Sequence, residues 1–172
     1  MTLNLRLLYA TFFNPYQSVK ESTNRKLYLL PPILFLICLF GMMLLQKLWP
    51  IHFLLRPPYS FLGLPLVITG LTVTMWGSGK FRSVQTNIHT FKEPDKLVVD
   101  GLYRYSRNPM YLGFAISLLG VCFMLGAASP FIILALFVAV TDRWYIEFEE
   151  KMLQKKFGVD YENYKSAVRR WI

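Results

Sequence analysis

The sequence predicts an all-α, polytopic membrane bundle of about four transmembrane helices, and three observations carry that prediction. Charged residues make up only 17% of the 172 positions and hydrophobic residues 54%, against about 25% charged in an ordinary soluble domain. The mean hydropathy of +0.36 represents more apolar side chain than a soluble fold of this length can bury. The apolar residues are also gathered into long uncharged runs, the pattern of helices that cross a bilayer. This balance excludes a disordered chain and a small secreted disulfide framework. Cys38 and Cys122 both lie inside apolar runs and read as small buried hydrophobes.

Residues 1–26 contain no run long enough to span. Leu3, Leu5, Leu7 and Leu8 alternate with Asn4 and Arg6 until Asn14-Pro15 breaks the pattern. The segment reads as an amphipathic helix on the membrane surface, without the small-residue cleavage site of a leader. Residues 27–172 read as one membrane domain. Leu27 to Gln46 is a run of 20 uncharged residues between Arg25-Lys26 and Lys47, enough at about 1.5 Å per residue for a hydrocarbon core of about 30 Å. Pro31-Pro32 fall in its first turns, where a missing backbone donor costs least. Tyr59 to Gly77 is a second candidate span of 19 residues. From Ser78 to Asn108 the chain turns polar and reads as an ordered layer outside the membrane. Residues 109–128 and 130–146 are the third and fourth candidates, separated so closely that they should form an antiparallel hairpin. Gly113, Ala115, Ser117 and Gly120 would let a neighbouring helix approach. The fourth helix finds no breaker until Phe157-Gly158, a glycine stop, and a last short helix starts near Asp160.

The net charge of +9 is distributed along the chain in a way that orients it. Of the 19 basic residues, 17 fall before the first span, in the long polar loop or in the tail from Arg143 onward; only Lys47 and Arg56 lie elsewhere. By the positive-inside rule both termini and the polar loop face the cytoplasm. No nucleic-acid recognition motif accompanies these charges.

Several motifs fail on inspection. Gly77-Ser78-Gly79-Lys80 resembles a phosphate loop, but Thr74 stands where its first glycine belongs and Phe81 where a hydroxyl must hold magnesium. Two histidines and scattered carboxylates supply no metal-ligand spacing, so no metal is expected. Two constellations remain. Tyr103, Arg104, Tyr105, Arg107, Asn108 and Tyr111 crowd the start of the third span. A helix N-terminus with neighbouring arginines favours an anionic group, and the same residues also suit a headgroup-level anchoring belt. Beyond the fourth span come Arg143, Glu147, Glu149 and Glu150. Arg143 and Glu147 are spaced to pair, whereas Glu149 and Glu150 point about 100° apart and cannot share one face. These carboxylates serve a site or form ordinary salt bridges on a solvated helix. The hairpin brings the two constellations side by side. His89, in the polar loop, is a hydrogen-bonded surface residue or a proton acceptor.

Arg107-Asn-Pro-Met-Tyr-Leu-Gly113, followed by Glu149-Glu150 and then Phe157-Gly158-x-x-Tyr161-x-x-Tyr164, resembles the isoprenylcysteine carboxyl methyltransferase family, which includes related phospholipid methyltransferases. Its signature is an Arg-His-Pro-x-Tyr-x-Gly block, a hydrophobic hairpin, then a Glu-Glu pair and a Phe-Gly-x-x-Tyr-x-x-Tyr tail. Leu97-Val98-x-x-Gly101-x-Tyr103 fits as well, so that the match covers about residues 91 to 170. The resemblance implies a membrane methyltransferase with a cytoplasmic, helical C-terminal region that binds S-adenosylmethionine. It places cofactor contacts at Leu97, Val98, Tyr103, Asn108, Pro109, Met110, Tyr111 and Glu149. Arg107 and Glu150 are the implied catalytic residues, Arg107 for an anionic group and Glu150 to position or deprotonate the nucleophile. Substrate contacts fall to Arg143, Tyr145 and His89. Two positions depart from the pattern: the family histidine is Asn108 here, and a family arginine that serves the substrate is Tyr145.

The expected partner is a lipophilic or lipidated acceptor entering from the bilayer. Two rival readings come from other classes. Sterol-type reductases have a similar membrane half and use NADPH. A small membrane-interaction protein would use both clusters only as anchors.

Overall fold

Described by a computed structural model over residues 30–83 and 96–172, the chain is helical almost throughout. The surface segment expected over 1–26 and His89 lie outside the described residues. Among the described residues six α-helices follow in order: α1 Pro31–Leu48, α2 Gly63–Ser83, α3 Pro109–Leu125, α4 Pro130–Val140, α5 Glu147–Phe157 and α6 Val159–Ala167. A 3₁₀ turn, Tyr59–Leu62, leads into α2, and another, Gly101–Arg104, precedes α3. A π-helical turn, Thr141–Ile146, joins α4 to α5 so that the two run on as one long helix.

Three of these helices open on proline. Pro31, Pro109 and Pro130 stand in the first turn of α1, α3 and α4, where the ring's fixed φ favours helix entry and no donor is lost. Helix α2 runs six residues past the uncharged stretch that predicts it, through Lys80 to Ser83, because nothing after Gly77 breaks it. Helix α3 stops earlier than expected, at Leu125, where Gly126 adopts φ +73° and its N–H returns to the Cys122 carbonyl. A side chain at Gly126 would strike the carbonyl of Leu55. The segment between α1 and α2 is tied to this turn by Leu54 and Leu55 N–H groups donating to the Gly126 carbonyl. At the other end, Gly158 closes α5 with φ +51°.

The tightest packing is antiparallel, α2 against α3. Gly63, Gly70 and Gly77 recur every seven residues on α2 and face Gly120, Gly113 and Met110 on α3. A Cβ at Gly70 would collide with the Gly113 carbonyl oxygen and the Ser117 hydroxyl; one at Gly120 would collide with the Gly63 carbonyl. The approach is close enough for hydroxyls to bridge backbones. Thr74 Oγ1 donates to the Met110 carbonyl at 3.2 Å, and Ser117 Oγ to the Val67 carbonyl at 3.3 Å. Small residues at a seam and hydroxyl bridges are how helices associate where lipid removes the hydrophobic drive. Ala115, grouped by sequence with this stripe, lies on the opposite side of α3, packed with the core shared by α1 and α4. That core contains Cys38, Met42, Phe114, Leu118, Cys122 and Phe137; both cysteines are free thiols. Phe35 stacks on Phe114 at 4.8 Å.

Among the described residues two helices are long and apolar enough to cross a membrane, Pro31–Leu48 and Tyr59–Lys80. Their outward faces carry Ile33, Leu36, Ile37 and Phe40 on α1, and Ile68, Leu71 and Met75 on α2, all exposed. Apolar surface of that extent is ordinary against hydrocarbon and unfavourable against water.

The glycine seam can be tested directly. Gly70→Leu should cost about 2 kcal/mol or more through overpacking, lowering the thermal unfolding midpoint in detergent. Gly79→Ala has open space at its Cβ and should leave stability unchanged or raise it by about 0.5–1 kcal/mol. Equal midpoints for the two variants would refute the seam.

Candidate functional site

The chain enters α3 through a short, sharply folded approach. Gly101 takes φ +66°, the 3₁₀ turn buries Tyr103, and Ser106 and Asn108 are buried just before Pro109. Asn108 occupies the N-cap position of α3 without capping it. Its backbone N–H is taken by Ser106 Oγ at 3.1 Å, and its side-chain amide donates to the Arg170 carbonyl at 3.0 Å. The segment that follows α6 is therefore folded back onto the start of α3. The Arg107 N–H reinforces this by donating to the Arg169 carbonyl at 3.0 Å.

At this junction sits a buried carboxylate between two guanidinium groups. Arg107 Nη2 donates to Glu150 Oε1 at 2.8 Å, with the two side chains only 8% and 9% exposed. Arg170 donates to the other oxygen, Nη2 to Oε2 at 2.6 Å, and its Nε reaches Oε1 at 3.3 Å. The remaining Arg170 Nη1 donates to both oxygens of Asp142 at 3.2 Å, and the Trp171 indole N–H adds a third contact to Asp142 at 2.9 Å. Two positive and two negative charges are thereby balanced inside one hydrogen-bonded network, the condition under which buried charge is tolerated. The Glu150 contacts hold the Arg170 guanidinium above its ordinary pKa, with Asp142 adding to the effect. Arg107 Nη1 donates to the Lys165 carbonyl at 3.0 Å. Its Nε is buried and has no hydrogen-bond partner among the described residues.

Glu149 points away from this network, as the 100° offset between successive helical residues requires. Its Oε1 accepts from the Tyr111 hydroxyl at 2.7 Å. Tyr111 in turn lies against Tyr145, ring centroids 6.2 Å apart, in a cluster with Ile146 that Trp171 packs on. Tyr103 completes this side: burial raises its pKa, and the Glu149 charge raises it further. The Tyr103 carbonyl accepts from the Tyr164 hydroxyl at 2.7 Å, which links the approach to α3 with α6. Burial pushes Tyr161 up to about 12, the Glu150 carboxylate adding to the effect while Arg107 and Arg170 oppose it.

Of the residues singled out by sequence, Arg107, Asn108, Pro109, Tyr111, Tyr103, Tyr145, Glu149 and Glu150 come together here. Val98 is buried and Leu97 half-buried on the same approach. Met110 faces Gly77 in the α2–α3 seam. Arg143 stands apart, its side chain 85% exposed and its charge 3.9 Å from Asp142. The expected Arg143–Glu147 pair does not form; Glu147 is paired with Lys151 at 2.6 Å, which holds its carboxyl below the usual range. Asp142, Arg170 and Trp171 are members that sequence reasoning missed. Asp142 offered a signal, since a carboxylate inside an apolar run needs a partner; Arg170 offered none beyond its charge. Among the described residues no group of three or more His, Cys, Asp or Glu side chains is placed to hold a metal ion.

Residues 58–160 match the family model described as phospholipid methyltransferase. A probable protein-S-isoprenylcysteine O-methyltransferase of Oryza sativa subsp. indica is 33% identical over 115 residues, covering 63% of this chain and 58% of the relative. The protein-S-isoprenylcysteine O-methyltransferase of Saccharomyces cerevisiae is 34% identical over 116 residues, 63% of this chain and 46% of the relative. That of Schizosaccharomyces pombe is 40% identical over 75 residues, 42% of this chain and 30% of the relative. The matched region thus spans 58% or less of these relatives' own length. No solved structure matches the chain significantly.

Tyr103, Tyr161 and Tyr164 set an alkaline limit. Their folded pKa values lie above the ordinary value of about 10, so their contribution to stability is fully present below that pH. It is lost as pH rises through about 12, where Tyr161 ionises. Phenolate absorbance and helical circular dichroism, followed together in an alkaline titration, should change in the same window. Full ionisation of all the tyrosines near pH 10 with the helices intact would contradict this burial.

Proposed function

The chain belongs to the phospholipid methyltransferase family, and from that premise we propose that it transfers a methyl group from S-adenosylmethionine to a lipophilic acceptor. The reaction takes place at the cytoplasmic face of a bundle that crosses the membrane four times, with 17 of the 19 basic residues on that face. The observation that carries the reading is the Tyr111–Glu149 hydrogen bond of 2.7 Å, set beside the Arg107–Glu150 pair. A carboxylate bonded to Tyr111, whose ring lies against Tyr145, suits a sulfonium, since aromatic faces and a negative charge both attract a cation. The residues therefore fit the cofactor, with Leu97, Val98, Tyr103, Asn108 and Pro109 supplying the apolar and backbone walls. When bound, S-adenosylmethionine supplies an electrophilic methyl group.

The chain's own residues have separable tasks. Glu149 holds the cationic end of the cofactor, and Tyr111 fixes the rotamer of Glu149. Arg107 is committed to Glu150 and to the Lys165 carbonyl; its buried Nε–H is one of the donors those contacts leave unused. Both oxygens of Glu150 are engaged by guanidinium donors, which leaves it little capacity to accept a substrate proton, so its task is positioning. Burial of the network keeps water away from an in-line displacement. An acceptor carboxylate is already ionised at neutral pH and needs no base, whereas an amine must lose a proton first. An isoprenylcysteine-like carboxylate is the acceptor that best suits a site whose carboxylates are already occupied.

Purified protein in lipid nanodiscs should bind S-adenosylmethionine and not NADPH, and should label an S-farnesylcysteine acceptor from methyl-labelled S-adenosylmethionine. A phosphatidylethanolamine acceptor in a parallel incubation reads the amine alternative. Glu149→Gln and Tyr111→Phe should each weaken S-adenosylmethionine binding about tenfold, the loss of one charge-assisted hydrogen bond or of the charge itself. Binding of NADPH, or unchanged affinity in both variants, would sink the assignment.

A further inference from the structure

We propose that Arg170 is a positioning residue for the methyl-transfer site, acting as the clasp that sets Glu149 and Glu150 in register with the start of α3. The proposal rests on the methyltransferase reading above, and it concerns a residue that neither motif contains. Arg170 spends one guanidinium fork on two carboxylates from the same long helix: Nη2 and Nε on Glu150, Nη1 on Asp142. Those carboxylates are eight positions apart. In a regular α-helix that spacing would leave them roughly 80° apart around the axis. The intervening Thr141–Ile146 turn is π-helical and advances less per residue, which turns Asp142 and Glu150 toward one face. The bulge and the guanidinium fit each other, since a planar fork can bridge two carboxylates where a lysine ammonium would be a single point charge.

The backbone around Arg170 is tied to the other half of the site. The Arg169 carbonyl accepts from Arg107 N–H at 3.0 Å. The Arg170 carbonyl accepts from Asn108 Nδ2 at 3.0 Å and from Ser106 Oγ at 3.4 Å. Trp171 bonds Asp142 and packs on the cluster of Tyr111 and Tyr145. One short segment therefore binds both the start of α3, with Arg107 just before it and Tyr111 in its first turn, and the helix that carries Glu149 and Glu150. Releasing the Arg170 side chain frees Glu150 on one side, and with it the α5 turn that aims Glu149 at Tyr111.

The test compares Arg170→Gln, Arg170→Lys and Asp142→Asn with the wild type in nanodiscs, reading the unfolding midpoint, S-adenosylmethionine Kd and methyl transfer. Arg169→Gln is the control, because that side chain is exposed and only its backbone is used. Arg170→Gln should weaken S-adenosylmethionine binding by roughly tenfold to hundredfold, the range for a lost charge-assisted contact. Arg170→Lys keeps the charge and should recover part of the midpoint lost in Arg170→Gln without recovering the affinity, which a merely structural role would not produce. Asp142→Asn should weaken binding severalfold, and it carries the test if Arg170→Gln fails to fold. Wild-type affinity and turnover in folded Arg170→Lys and Asp142→Asn overturn the proposal while leaving the methyltransferase reading standing. A wild type that neither binds nor consumes S-adenosylmethionine overturns that reading, and this proposal with it.

Discussion

Everything at the candidate site depends on one carboxylate. Glu150 is buried, and its oxygens are shared between Arg107, which leads into α3, and Arg170, which follows α6. Three stretches of chain far apart in sequence meet on it, and each contributes a charge that would be costly alone. Removing one partner from a buried ion pair costs roughly 3–5 kcal/mol, whereas exchanging the whole group for well-packed apolar residues is often neutral. The network is therefore a device of registration more than of net stability. It fixes which turn of α5 faces the start of α3, and so determines that Glu149, one residue earlier, meets Tyr111.

The bundle makes that registration possible by bringing the end of α2 and the start of α3 to a defined level. The α2–α3 seam has almost no freedom to slide, because the glycines repeat every seven residues and the backbones touch where they meet. Apolar side chains in a hydrocarbon surrounding would tolerate many registers; steric closure at glycine tolerates one. Pro109 then starts α3, and the Asn108 side chain, which does not cap the helix, donates across to the Arg170 carbonyl. Local chain chemistry at a helix start is thus converted into a long-range contact.

Much of the site was legible because its residue types are expensive where they stand. Arg107, Tyr111, Glu149 and Glu150 crowd the ends of apolar runs, and such groups must be paired or used. The right angle between Glu149 and Glu150 was legible too, from helical geometry alone. What escaped was partnership. Arg143 stood at pairing distance from Glu147 on an α-helical count, yet Glu147 bonds Lys151 and the charge at the hub belongs to Arg170. Arg170 had been only one of seven basic residues after the fourth apolar run, indistinguishable from its neighbours by composition. Met110 sits inside the motif, and its side chain lies in the seam against Gly77.

Composition and run length by themselves determined that the chain is helical, that α3 and α4 begin at Pro109 and Pro130, and that polar residues of opposite charge gather beside the hairpin. Those properties are local: hydrophobic periodicity, proline entry and glycine stops act within a few residues. The tertiary structure alone decided which charges pair, that a π turn rather than an α turn joins α4 to α5, and which face of α3 meets α2. These are contacts between residues dozens of positions apart, with energies set by burial and by the angle between helices, and neither quantity is written in a single segment. The glycines announced that something would come close. Only the fold shows that α2 does so, and that Arg170 then closes the junction above it.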